Sequence, residues 1–217
     1  MPGELLNFAL LSLSSLVIIV NPLGATLIYV SLTSGMNREG RRAVARDSCR
    51  FALVILLVFA LLGGIILHLF GITVEAFRIG GGILLFGIGL EMIYARTSRT
   101  KLTATEKYES MESEDISVTP LALPMIAGPG AITTTIVLMN EAAGNLVEAL
   151  VVLISITVAV LLTYLFMWNS DRIVSHIGQK EFRAINRLMG MLLIAIAVQF
   201  VIDGILGAFP FLSGKGA

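Results

Sequence analysis

Charged clusters divide the chain into six apolar stretches, Leu5–Leu32, Phe51–Leu67, Ile79–Leu90, Val118–Asn140, Ala149–Asn169 and Leu188–Leu212. A helix that crosses roughly 30 Å of hydrocarbon needs about 20 apolar residues. The first, fourth, fifth and sixth stretches have that length. The second reaches it by starting near Ala43, and the third only by taking in Glu75, Arg78 or Glu91. This pattern predicts an all-α polytopic membrane protein with six transmembrane helices. Composition agrees: of 217 residues, 56% are hydrophobic and 14% charged, and the mean hydropathy is +0.91, outside the balance of soluble domains.

The formal net charge is zero, but its distribution is lopsided. The connections after spans one, three and five hold all but two of the 15 Lys and Arg residues: Arg38, Arg41, Arg42, Arg46 and Arg50, then Arg96, Arg99, Lys101 and Lys107, then Arg172, Lys180, Arg183 and Arg187. Only Arg78 and Lys215 lie elsewhere. Basic connections face the cytoplasm, so both termini are expected outside a cell (inner) membrane, with the basic turn after span one against the anionic leaflet. The amino end, MPGELLNF, lacks the basic region of a secretory signal and is read as part of the first helix. The single cysteine, Cys49, has no internal partner for a disulfide and reads as an ordinary cytoplasmic thiol. No charge excess points to nucleic acid, and no metal cluster, nucleophile elbow or phosphate loop appears. The expectation is a non-enzyme without cofactors.

The first and fourth spans contain helix breakers. IIVNPLGATLIYV carries Asn21, Pro22 and Gly24, and VTPLALPMIAGPGAITTTIVL carries Gly128, Pro129 and Gly130. Counted from the cytoplasmic ends of their spans at about 1.5 Å per residue, Pro22 and Pro129 both lie about 16–18 Å deep, near the bilayer midplane. Neither proline donates a backbone hydrogen bond, and each pushes the residue before it away from helical geometry. Irregular backbone at that depth survives only inside protein or beside a polar cavity. The breaks are therefore expected to face each other. A carboxylate is favoured at the amides near Gly24 and Gly130, and an ammonium at the carbonyls near Val20 and Ala127. The hydroxyls of Thr26, Thr133 and Thr134 complete a small site suited to an amino acid.

Six spans split into two sets of three, and an odd number of crossings per set makes any repeat inverted. Ala76–Ile93 aligns without a gap on Ala184–Val201, matching Gly82 with Gly190, Leu84 with Leu192 and Leu85 with Leu193, and setting Glu91 opposite Gln199. The expected organisation is a first three-helix repeat over 1–95, a cytoplasmic linker over 96–117 and a second, inverted three-helix repeat over 118–217, with helices 1 and 4 broken.

Intramembrane ionisable residues are functional candidates by default. Glu91 lies about 18 Å deep if the third span begins at Ile79, and nears the cytoplasmic surface if it begins at Thr73. Asp203, in the outer part of the sixth span, either pairs with Arg78 or takes part in proton movement. Gln199, one turn earlier, is a candidate polar partner for the substrate or for Glu91. Glu75 and Arg78 read as an interfacial pair, His68 and His176 as isolated interfacial residues, and Gly80–Gly89 as a packing surface.

The motifs NPLG, PLALPMIAGPGAIT and RLMGMLLIAIAVQFVIDGI, spread over the whole chain, resemble the MarC family of integral membrane proteins. Within it the sequence looks closest to SnatA-type small neutral amino-acid transporters. The resemblance implies glycine or alanine as substrate, with proton coupling. It carries over Asn21, Pro22, Gly24, Gly128, Pro129, Gly130, Gln199 and Asp203 as functional positions. Direction of transport and oligomeric state stay open, as do a small-solute channel or exporter and a non-transporting scaffold subunit.

Overall fold

The computed structural model describes residues 2–94, 116–176, 179–209 and 211, so the expected linker lies outside the described residues except for Ile116 and Ser117. The elements are α1 (Pro2–Val20), α2 (Pro22–Leu32), α3 (Arg38–Leu69), α4 (Val74–Ile93), a π-helix π1 (Ser117–Ile126), α5 (Pro129–Glu141), α6 (Leu146–Trp168), α7 (Ser170–His176) and α8 (Gln179–Ala208). No strand occurs among the described residues. Among the described residues five helical segments are long and apolar enough to cross a membrane: Gly3–Leu32, continuous through the break at Asn21, then Arg38–Leu69, Val74–Ile93, Leu146–Trp168 and Ala184–Ala208. The fourth apolar stretch is divided between π1 and α5, and neither piece alone reaches spanning length.

Local chemistry sets the helix ends. Asn37, Thr73 and Asn145 cap α3, α4 and α6 by accepting first-turn amides at 2.8–3.4 Å. The end of α3 is a Schellman turn: Gly71 takes φ 65°, and the amides of Ile72 and Gly71 donate to Leu67 O and His68 O. Three buried hydroxyls are satisfied by carbonyl groups one turn back. Thr26 donates to Pro22 O, Thr33 to Tyr29 O and Thr163 to Ala159 O, at 2.7–2.9 Å, which removes the cost of a bare polar group.

Two separate cores form. Leu16, Leu56, Leu121, Ile126, Leu138 and Ile156 lie in one, shared by α1, α2, α3, π1, α5 and α6. Leu85 and Met92 of α4 and Leu193 and Ala197 of α8 form the other, joined by Val137 of α5. Packing thus joins segments far apart in sequence, pairing α4 with α8. Small residues bring α4 and α8 together. A Cβ on Gly82 would stand 2.7 Å from Ala197 O, and one on Gly190 would stand 2.9 Å from Gly89 O. Of the GGG run, Gly81 and Gly82 pack closely while Gly80 faces open space. Outer faces are apolar, with Leu61, Ile65, Ile83 and Ile154 each about 60% exposed, as hydrocarbon contact requires.

One open sequence reading is decided and another changes. The third spanning helix begins at Val74, because Thr73 caps it, so Glu75, Arg78 and Glu91 all lie within α4 and Glu91 stands near its C-terminal end. Arg78 pairs with neither Glu75 nor Asp203; its Nη2 donates to Glu141 Oε1 at 2.8 Å. The short α7 was not anticipated.

Candidate functional site

At the first break the Asn21 amide still donates to Val17 O at 3.1 Å. Ile18 O then loses its usual donor, since Pro22 has no N–H. The chain turns through Asn21 at φ 50°, ψ 69°, the left-handed region where asparagine is among the few tolerated side chains. Asn21 is the only non-glycine residue with positive φ among the described residues. That conformation brings Asn21 Oδ1 to 3.1 Å from the Gly24 amide, so α2 caps itself. The Gly24 amide is occupied, and the expectation that a carboxylate sits there is corrected on this ground.

The second break is built differently. π1 ends with Ala127 N donating to Ala122 O across a wide turn, and Gly128, at φ −71° and ψ 169°, precedes Pro129 as the N-cap of α5 without any side-chain cap. First-turn amides have no partner within their own helix. Gly130 and Ala131 therefore present N–H groups at the positive end of a 13-residue helix, with the side chains of Leu85 and Ile19 against Gly130.

Both breaks wall one cavity of about 280 Å³. Val20 and Asn21 come from the first, and Ile126, Gly128, Gly130 and Ala131 from the second. α4 supplies Leu84, Leu85, Ile88, Glu91 and Met92, and α8 supplies Leu193. The cavity thus lies between the two cores. Its polar lining residues are Asn21 and Glu91; the others are glycine, proline and apolar residues.

Of the sequence-derived candidates, Asn21, Gly128, Pro129, Gly130 and Glu91 meet at this cavity, whereas Pro22, Gly24, Thr26, Ala127, Thr133, Thr134, Gln199 and Asp203 are not on its wall. Thr26 is spent on Pro22 O. Ala127 is fully buried in the larger core. Thr133 is buried, its methyl group lying where a Cβ on Gly81 would be. Thr134 is fully buried, and its hydroxyl has no hydrogen-bond partner among the described residues. Gln199 donates to Asp203 at 2.7 Å on an exposed part of α8. The apolar wall of Leu85, Ile88, Met92 and Leu193 was missed, because no residue type marks it; only the repeat alignment, which matched Leu85 with Leu193, touched it. Among the described residues no group of three or more His, Cys, Asp and Glu is placed to hold a metal ion.

Residues 6–209 match the family described as MarC family integral membrane protein. A UPF0056 membrane protein of Methanocaldococcus jannaschii is 38% identical over 203 residues, covering 94% of this chain and 98% of that protein. The UPF0056 membrane protein YvbG of Bacillus subtilis is 39% identical over 202 residues, covering 92% and 94%. The UPF0056 membrane protein YhcE of Escherichia coli is 37% identical over 196 residues, covering 88% and 89%. No solved structure matches the chain.

Proposed function

The chain belongs to the MarC family of integral membrane proteins, and from that premise we propose that it is a secondary transporter of small neutral amino acids, of the SnatA type, built from six spans in two inverted halves. One observation carries the reading: a single cavity joins the uncapped start of α5 to the break at Asn21. The amides of Gly130 and Ala131 suit a carboxylate. The carbonyl groups around Ile18 and Val20, released by Pro22 and by the diversion of the Gly24 amide, suit an ammonium, with the Asn21 side chain beside them. Ligand pockets generally run to about 300–1,000 Å³; about 280 Å³ favours a solute of few heavy atoms, and the apolar wall accepts a methyl group more readily than a polar side chain.

The cavity extends along α4 toward its C-terminal end, where Glu91 lies. With the basic connections inside, we read this as an arrangement open to the cytoplasm, and Glu91 on its wall is our candidate to carry a coupling proton. Alternating access moves the α4–α8 pair against the larger core, since the cavity lies along that boundary. Counterflow tests the reading. Proteoliposomes preloaded with unlabelled glycine should accumulate labelled glycine, with inhibition by alanine and not by leucine. No accumulation by folded, reconstituted protein would overturn it, and dissipation without counterflow would indicate a channel.

A further inference from the structure

A second polar cavity, of about 360 Å³, lies away from the first and is lined by Arg38 and Arg42 of α3, Trp168 at the end of α6, and Asn169, Asp171 and Arg172 beyond it. We propose that it is a site for a phosphate-bearing anion, and that its occupant is the phosphodiester headgroup of an anionic membrane lipid. This does not depend on what the protein transports.

Three features build the site. Arg41 ties its two walls together, donating to Asp171 Oδ1 at 2.9 Å and to Ser170 Oγ at 3.2 Å. That tether uses the one carboxylate on the wall and leaves the lining with a positive balance. The Arg42 guanidinium lies over the Trp168 ring, 4.1 Å from its centre. A stacked guanidinium is held with its N–H edge outward, the geometry that meets two phosphate oxygens at once. Arg38, exposed on the first turn of α3, supplies a second guanidinium on the same wall.

Position selects the lipid source over a soluble one. The cavity lies where two spanning helices, α3 and α6, leave the apolar layer, with a tryptophan at the edge, as at bilayer interfaces. The surrounding charge marks the cytoplasmic side, where anionic headgroups collect in basic pockets between helices. Arg46 and Arg50 on the next turns differ: both engage Asp47, at 2.9 and 4.0 Å.

Trp168 is the only tryptophan in the sequence, so its emission reports on this cavity alone. The full-length protein in detergent is titrated with phosphatidylglycerol, phosphatidylcholine and inorganic phosphate. The expected result is a saturable change in Trp168 emission with phosphatidylglycerol and none with phosphatidylcholine. Arg38→Gln, which leaves the Arg42–Trp168 stack in place, should weaken the response about tenfold, while Arg50→Gln should leave it unchanged. Saturation by inorganic phosphate at equal or lower concentration would keep the phosphate chemistry and overturn the lipid assignment. An equal loss in Arg38→Gln and Arg50→Gln would reduce the effect to general surface charge. No saturable change with any ligand would overturn the site.

Discussion

Arg78 and Glu141 meet at 2.8 Å across the boundary between the two cores, joining the first turns of α4 to the last residue of α5. The same two helices line the cavity between the breaks at their other ends, through Glu91 and Gly130. From Gly130 to Glu141 is about 16 Å along the helix. The ion pair therefore fastens the end that lies away from the cavity. Arg78→Gln and Glu141→Gln should each lower stability in thermal melts by about 1 kcal/mol, since one partner is a third exposed to screening. The double variant should lose less than the sum of the two; additive losses would show that the pair does not act as a unit.

Asn21 does two jobs, as a left-handed turn residue and as the cap of α2. Asn21→Gly keeps the first and loses the second, whereas Asn21→Ala loses both. The expected order of stability is wild type, then Gly, then Ala. Ala should cost roughly 2 kcal/mol, from a lost cap of about 1 and a left-handed penalty of about 1. Chemical denaturation of the purified protein reads this order, and an alanine variant as stable as the glycine variant would contradict it.

The glycines of α4 divide by what a methyl group would meet. Gly82 and Gly89 approach backbone oxygens of α8, at 2.7 and 3.0 Å, while Gly80 and Gly87 have nothing within 4 Å. Gly82→Ala and Gly89→Ala should each lower the melting temperature, by overpacking worth about 1–3 kcal/mol. Gly80→Ala and Gly87→Ala should hold or raise it, because alanine is the better helix former by about 1 kcal/mol. Four equal shifts would sink the packing account.

Gly130 lies against Leu85, whose Cδ2 would be 2.5 Å from an added Cβ. Gly130→Ala should therefore wedge α5 away from α4 at the cavity and slow counterflow about tenfold. Adding Leu85→Ala should restore much of the rate by making room. Failure of the second change to help would show that the lost activity does not come from this contact. A different outcome is expected at Gly24, where an added Cβ collides with the Asn21 side chain; Gly24→Val should disturb the cap of α2 and lower stability, with the cavity affected only through Asn21.

Glu91 and Asp203 are both candidates for proton coupling from the sequence, and they stand in different places. Glu91 lines the cavity, whereas Asp203 accepts a hydrogen bond from Gln199 on α8 away from it. Glu91→Gln should abolish pH-driven accumulation while leaving exchange intact, and Asp203→Asn should preserve both. The reverse pattern would place the coupling group on α8.

The breaks at Asn21–Pro22 and Gly128–Pro129 were legible because a proline removes a donor whatever surrounds it. That the two breaks share one cavity followed from the cost of bare carbonyl groups in hydrocarbon. Other features depend on geometry that residue types do not encode. Whether an asparagine turns back to cap Gly24 is a matter of one φ angle. The partner of Arg78 is 63 residues away in sequence, beyond any local pattern. The start of α4 at Val74 turned on a single hydroxyl, Thr73 Oγ1 at 3.2 Å from the Ala76 amide. The pairing of α4 with α8 was foreshadowed by their matched glycines, although alignment alone says that two segments are alike and not that they touch.

The difference in capping between α2 and α5 has a consequence for chirality. Two similar breaks meeting head to head would accept a zwitterion in either direction. Here one set of amides is already satisfied by Asn21 and the other has no side-chain cap, so an amino acid bound as proposed would have a fixed heading. Its α-hydrogen and its side chain then face different walls. A site with one heading distinguishes mirror images, and D-alanine should compete with labelled glycine more weakly than L-alanine does.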